Sequence, residues 1–325
     1  MTLTRRDTLL ATAALAALAA TGTARAQAWP QRSVKLVVPY APGGLPDTVA
    51  RIVGQRLQEV LGQSVVIENK PGGNGGVAAA TLASAPADGY TLLVTDGSML
   101  TINRLLSTKL SYDPDRDFLP VSQIAQSPLF LAVNSSVQAR TLAELIALAK
   151  AQPGKLNYGS SGVGSSHHLT MEAFKAGTGI FVTHIPYRGS ANSVPAMIGG
   201  QVEMVFSAYP SLAGFVKNGQ ARMIATNSLK RSALAPEVPA IAEKLPGFDF
   251  AVTVAMLAPK GTPPEVVQRL NTEIDRIVRR PDVITALQVA GIDPMGGPPE
   301  QLSAALKAEM TRVAAAAQRA NLKAE

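Results

Sequence analysis

The chain has 325 residues, a formal net charge of +7, 46% hydrophobic residues and no cysteine. The missing cysteine excludes disulfides, thiolate metal sites, a cysteine nucleophile and a lipid-modified cysteine at the N-terminus. Lys and Arg are dispersed along the sequence, which points to a solvated basic surface and away from a nucleic-acid partner.

The first predicted element is a secretory leader. Arg5 and Arg6 precede the Leu/Ala-rich run from Leu9 to Ala20, and Ala24-Arg25-Ala26 forms an Ala-x-Ala cleavage signature. The apolar run is too short to span a bilayer. Cleavage is expected after Ala26, with Ala28 as the alternative, which gives a periplasmic mature protein. The arginine pair fits a twin-arginine signal and equally an ordinary Sec signal. Loss of residues 1–26 removes Arg5, Arg6 and Arg25 against Asp7, leaving +5.

From Ser33 onward, short β-type runs alternate with helical patterns, as in parallel α/β units. Val34 to Val38 reads as a strand, Pro39 to Pro46 as a Gly/Pro-rich loop, and Asp47 to Leu61 as a helix stopped by Gly62. Val65 to Ile67 and Thr91 to Val94 continue the sheet, with a helix from Val77 to Ser84 between them. A second series opens near Pro128: strand Leu129 to Val133, then helix Thr141 to Ala151 with a Thr141/Glu144 capping box, then strand Leu156 to Tyr158. Strands follow at Phe181 to Ile185, Val202 to Phe206 and Arg222 to Thr226, with helices from Ser165, Ser190 and Pro210. A last strand, Val252 to Leu257, precedes helices from Pro263 (capped by Thr262), Asp282 and Pro299. The chain is expected to cross to a second lobe near Gln126 and to return between Asn227 and Phe248. The expected division is leader 1–26, first lobe 27–126 with 249–325, and second lobe 127–248.

Two loops carry the candidate chemistry. Tyr40-Ala41-Pro42-Gly43-Gly44-Leu45-Pro46-Asp47 joins a strand end to a helix start, where backbone N–H groups and the helix dipole favour an anion. Tyr40, Pro42, Gly43 and Gly44 are therefore candidates; Asp47 is either a ligand contact or a helix cap. Asp96 and Ser98 occupy the same kind of position after the strand ending at Val94. The segment Tyr158 to His168 repeats the design with added hydroxyls, so Ser161, Val163, Gly164, Ser165 and His168 join the set. Tyr187 and Arg188 end a further strand, with Arg188 either a carboxylate contact or a surface ion-pair partner. Ser207 and Tyr209 end another.

Sharper chemistries fit less well. Gly72-Gly73-Asn74-Gly75-Gly76 lacks the dinucleotide spacing, and no P-loop motif exists. His167 and His168 point about 100° apart on a helix, a poor metal pair. His184 has no neighbouring Asp, Glu or Cys in sequence and is expected to be structural. No cofactor is expected. A secreted hydrolase or isomerase using Ser165, His168 or Asp47 is the rival reading, although the G-x-S-x-G elbow is missing. The sensing domain of a transcription regulator is a third reading, without an appended helix-turn-helix.

Taken in order, several blocks resemble the tripartite tricarboxylate transporter substrate-binding family, also called Bug receptors. They include Val38-Pro39-Tyr40-Ala41-Pro42-Gly43-Gly44 with Asp47, Glu68-Asn69-Lys70-Pro71-Gly72-Gly73, and Asp88-Gly89-Tyr90-Thr91-Leu92-Leu93. Pro153-Gly154-Lys155-Leu156-Asn157-Tyr158, Ser160 to Ser166 with His168-Leu169, Pro186-Tyr187-Arg188-Gly189-Ser190 and Ala258-Pro259-Lys260-Gly261-Thr262-Pro263 follow. The resemblance implies a two-lobed type II periplasmic-binding-protein fold hinged on two crossovers. It also implies a carboxylate ligand (a di- or tricarboxylate, an aromatic carboxylate or an acidic amino acid) and, as partners, transporter membrane subunits or a sensor. In it, the loops matching Tyr40 to Asp47 and Ser160 to Ser166 hold the ligand. Three positions depart from the family pattern: Ser207 where many members have Asp, Thr253 where many have Trp, and His167 in place of one Ser. Loss of the acid at 207 argues for a plain carboxylate over an amino acid.

Overall fold

A computed structural model describes residues 29–72, 75–187, 189–319 and 322–324. The predicted leader, both cleavage positions, Gly73, Asn74 and Arg188 lie outside the described residues.

Alternation along the first strand decides which helices cover it. In β1 (Val34–Val38), Val34, Leu36 and Val38 enter the core beneath helix α1 (Leu45–Leu61), while Val37 faces Ala78, Ala79 and Leu82 of α2 (Gly76–Ala83). β2 (Val65–Asn69) and β3 (Thr91–Asp96) flank β1 in parallel. A π-helical turn, Ser98–Ile102, then runs into the α turn Asn103–Leu106. β4 (Phe118–Ser127) is followed by the single residue Pro128, after which β5 (Leu129–Asn134) already belongs to another sheet.

The second sheet is built from β5, β6 (Asn157–Ser160), β7 (Thr183–Pro186), β8 (Met204–Ala208) and β9 (Ala221–Thr226) in the order β7-β6-β8-β5-β9. Its helices are α3 (Leu142–Ala151), α4 (Ser166–Thr178), α5 (Ser190–Ile198) and α6 (Tyr209–Lys217). The chain returns through β10 (Val252–Pro259), α7 (Pro264–Val278), α8 (Pro281–Val289), β11 (Asp293–Pro294) and α9 (Pro299–Arg319). The first sheet then reads β11-β4-β10-β3-β1-β2.

Both sheets are mixed, where the sequence suggested parallel units. β10 is antiparallel to β3 and β4, and β5 is antiparallel to β8 and β9. No α-helix precedes either strand on its way in from the other sheet, so no helical crossover forces them parallel. All eight residues of β10 and all six of β5 are buried, as central strands covered on both faces must be. The sequence reading also missed β4. Pro120 and the polar Ser122 and Gln123 break its pattern, and register shifts in the β10 pairing absorb the irregularity. At α7 the expected Thr262 cap is not formed: its hydroxyl donates to the Pro259 carbonyl at 2.8 Å, and the helix starts without a side-chain cap.

The two passages between sheets meet at Asn227, which is fully buried. Its Oδ1 accepts the Leu129 N–H at 2.7 Å, and its Nδ2 donates to the Phe250 carbonyl at 2.6 Å. Its backbone adds bonds to the same two residues, to Leu129 at 2.9 Å and from Phe250 at 2.8 Å. The last helix also bridges the sheets: Val313 and Ala317 of α9 pack with Ile102 from the first lobe and Leu169 from α4. Among the described residues no helix is long and apolar enough to cross a membrane.

Candidate functional site

A cavity of about 490 Å³ opens between the loops of the two sheets. Tyr40, Asp96, Ser98, Asn103, Leu106 and Ser107 line it from the first sheet's side. Ser161, residues 163–167 and Gly189 line it from the second, and Leu322 and Lys323 complete it. Of the residues singled out in the sequence, the structure brings Tyr40, Asp96, Ser98, Ser161, Val163, Gly164 and Ser165 together here. The lining also holds Asn103, Ser107, His167 and Lys323, which sequence reasoning did not select. Asn103 and Ser107 follow a π-helical turn that no periodicity announces, and Lys323 sits in a tail with no pattern.

The first wall is anchored by a buried acid. Tyr40 donates its hydroxyl to Asp96 Oδ1 at 2.8 Å. Asp96 also accepts the N–H groups of Met99 and Ser98 and the Ser98 hydroxyl, which pins the π-helical turn to the end of β3. Burial raises the Asp96 pKa against these bonds, and burial followed by the Asp96 charge holds Tyr40 well above the usual phenol value. Tyr112, behind it, donates to the Met99 carbonyl at 2.7 Å; its pKa is pushed up to about 12, mainly by burial.

The rest of the Tyr40 to Asp47 loop serves the wall from outside. Helix α1 begins at Leu45, two residues earlier than expected, so Asp47 lies inside the first turn instead of capping it. Its carboxylate reaches back to the Gly43 N–H (2.8 Å) and is gripped by Arg51 (2.9 and 3.0 Å) and Asn69 (2.8 Å). Burial opposes the charge on Asp47, yet these bonds from Arg51, Gly43 and Asn69 hold its pKa below the ordinary carboxylate value. Only 2% of Asp47 is exposed, and all its strong acceptor directions are occupied. Gly43 adopts φ +88°, a conformation that favours glycine. Its N–H serves Asp47, and that of Gly44 turns to the Ala41 carbonyl at 3.4 Å, so the expected anion-holding groups are engaged within the loop. Pro42 and Gly43 are exposed and do not line the cavity.

The second wall is a capped helix start. Ser165 accepts the His168 N–H at 3.2 Å and donates to the Gly162 carbonyl at 2.8 Å, a side-chain cap on α4. Ser160 Oγ accepts the Gly162 N–H at 3.0 Å. Behind the loop, His168 and His184 stack at 4.1 Å with planes 9° apart, and Tyr158 covers His184 at 4.8 Å. The Tyr158 hydroxyl bonds Glu172, which pairs with Lys175 at 2.7 Å. His168 Nδ1 accepts the Gly164 N–H at 3.0 Å, so His168 faces the loop's back and does not line the cavity. Burial lowers the pKa of both stacked rings, His184 to about 4, with His168 adding to the effect on His184.

The remaining candidates, Tyr187, Ser207 and Tyr209, are not among the residues lining the cavity. The Tyr187 ring backs Gly159, and its hydroxyl reaches Gln201 Oε1 at 3.5 Å. Ser207 is fully buried in β8 with its Oγ unpartnered and is not among the residues lining the cavity, where Asp96 is the acid. Tyr209 packs edge-on against Phe130 at 5.8 Å and touches the backbone of Gly291 from the first lobe. The buried Ser160–His184 contact at 2.6 Å lies behind the loop, and Ser165 is committed to its cap, so neither offers an exposed nucleophile beside a base. Among the described residues no group of three His, Cys, Asp or Glu is placed to hold a metal.

Two α/β lobes tied by paired crossovers, with a polar cavity between a loop of each, define a solute-binding receptor. The chain belongs to the tripartite tricarboxylate transporter family receptors, whose family model matches residues 49–322. It is 34% identical over 305 residues to Protein BugT of Bordetella pertussis, covering 93% of this chain and 92% of BugT. Among solved structures it is similar to R. palustris Rpa4515 with adipate, with TM-score 0.83 and 36% identity over 92% of this chain and all of that one. MatC of Rhodopseudomonas palustris with bound malate superposes with TM-score 0.76 at 29% identity, over 89% of this chain and 99% of MatC.

Proposed function

We propose that the mature chain, exported by its leader, captures a small carboxylate between its lobes without transforming it and presents the loaded form to the membrane subunits of a transporter. The observation that carries this reading is the polar cavity between the two sheets, lined by Asp96, Lys323 and uncharged polar residues from both sides, with Ser161 Oγ buried there and unpartnered. Tyr40, Ser98, Ser161 and the loop 163–166 are the groups that would meet the ligand. Pro42, Gly43, Gly44, Asp47, His168 and Tyr187 support them from behind, and Ser207 and Tyr209 shape the second lobe.

Adipate in Rpa4515 and malate in MatC are both dicarboxylates, and Lys323 is the one lysine or arginine in the described lining here. A thermal-shift screen of adipate, malate, benzoate and glutamate tests the proposal. A dicarboxylate at a hundredfold excess over its Kd is expected to add about 2.7 kcal/mol of stability and to be recovered unchanged. Conversion to a product would make the protein an enzyme, and a flat response to the whole panel would remove the carboxylate assignment.

A further inference from the structure

The three histidines of the chain meet around the start of α4, and they are not equivalent. His168 accepts the Gly164 N–H at Nδ1, so its own proton sits on Nε2. His184 Nε2 is engaged by Ser160 Oγ at 2.6 Å. His167 lines the cavity, and its Nδ1 is buried without a partner, which leaves Nε2 as the nitrogen a ligand can reach. Burying an N–H with no acceptor is disfavoured more strongly than burying a bare lone pair, so the neutral ring places its proton on Nε2. Ser161, in the same lining, adds a second unpartnered polar atom.

We propose that His167 presents its Nε2–H to the ligand as a neutral hydrogen-bond donor and that the group it meets is an anionic oxygen. The inference rests on the carboxylate-receptor reading and names the residue through which the cavity senses ligand charge. The titratable and charged groups that share the cavity with it are Tyr40, Asp96 and Lys323. Behind the loop lie His168 and His184, with Glu172 and Lys175 beneath them. Burial keeps the free His167 neutral, with a pKa of about 4. A carboxylate oxygen placed against Nε2–H favours the imidazolium and raises that pKa. Binding then takes up a proton, and affinity rises as the pH falls toward the raised value.

The test compares wild type, His167→Asn and His167→Ala with adipate, or with malate if adipate does not bind, by calorimetry near neutral pH and about two units lower. It is paired with nitrogen-15 spectra of the three imidazoles. Free wild type is expected to show His167 in the Nε2–H form, and the probe is expected to move its resonances more than those of His168 or His184. The alanine variant should bind about tenfold more weakly. The asparagine variant, which keeps an N–H donor, should retain affinity within about threefold while losing the wild-type excess at low pH. Because all three proteins meet the same probe, titration of the probe itself cancels. An Nδ1–H tautomer in free wild type, or an alanine variant with wild-type affinity and pH response, would overturn the inference and leave the receptor reading intact. A wild type that binds neither dicarboxylate would overturn both.

Discussion

At Asp47, a single buried carboxylate holds three stretches of chain together: Gly43 in the loop, Arg51 one turn on, and Asn69 at the end of β2. Asn69 in turn donates to the Tyr40 carbonyl at 2.9 Å, so the wall of the cavity is set from 22 residues beyond Asp47. Asp47→Ala is therefore expected to lower stability by about 2 kcal/mol in urea denaturation and to weaken adipate binding as well. Because the folded pKa of Asp47 lies below 3.8, its contribution is present above 3.8 and is lost as the pH falls through the lowered value. Asp47→Asn should flatten that acid limb. The position of this loop was legible in its Pro and Gly residues, whereas the partner of each carboxylate lone pair depended on a residue distant in sequence. The neighbouring pair His167 and His168 shows the same limit. They diverge by about 100° on a helix, and only the packing of His168 on His184 decides which one is left to the cavity.

At the scale of elements, the last helix buries an acid where the lobes meet. Glu309 of α9 lies beside Thr101, whose hydroxyl is 2.8 Å from the Gly97 carbonyl and 3.0 Å from Glu309 Oε1. One hydroxyl proton cannot serve both acceptors, and a proton on Glu309 resolves the conflict. Burial first, and then the Asp96 charge, raise its pKa to about 7 against bonds from Thr101 and Thr253 and the charge of Arg312. The folded state therefore holds this proton more tightly than the unfolded chain. Stability is full below the ordinary value of 4.5 and declines as the pH rises toward about 7. The loss across that window is on the order of 3 kcal/mol, and Glu309→Gln should abolish it in melts taken from acid to mildly alkaline pH. Helix α9 and a helix starting at Ser165 were readable from the sequence. The π-helical turn and β4 were not, because a local pattern of polar and proline residues is overruled there by Asp96 and by pairing with β10.

For the whole molecule, the close contact between lobes at Gly291 is a testable stop. A Cβ on Gly291 would lie 2.8 Å from both the Tyr209 Cβ and the Pro210 Cδ, and Gly291 adopts φ +74°. Gly291→Ala is expected to hold the lobes apart, weakening adipate binding about tenfold and enlarging the ligand-bound radius of gyration in solution scattering. Gly62→Ala is the control, since Gly62 has φ +65° but open space around its Cβ; it should share the backbone cost of about 1 kcal/mol without the loss of affinity. The two-lobed plan was legible because each sheet has its own run of strands and helices. The way the passages join was hidden, since Asn227 meets Leu129 from nearly a hundred residues away. That junction governs what the molecule can signal. Both connections are fastened to one side chain, so a swing of one lobe against the other is expected to pivot there. If occupancy sets the width of the gap, a partner that measured only this width would be indifferent to the chemical identity of the cargo.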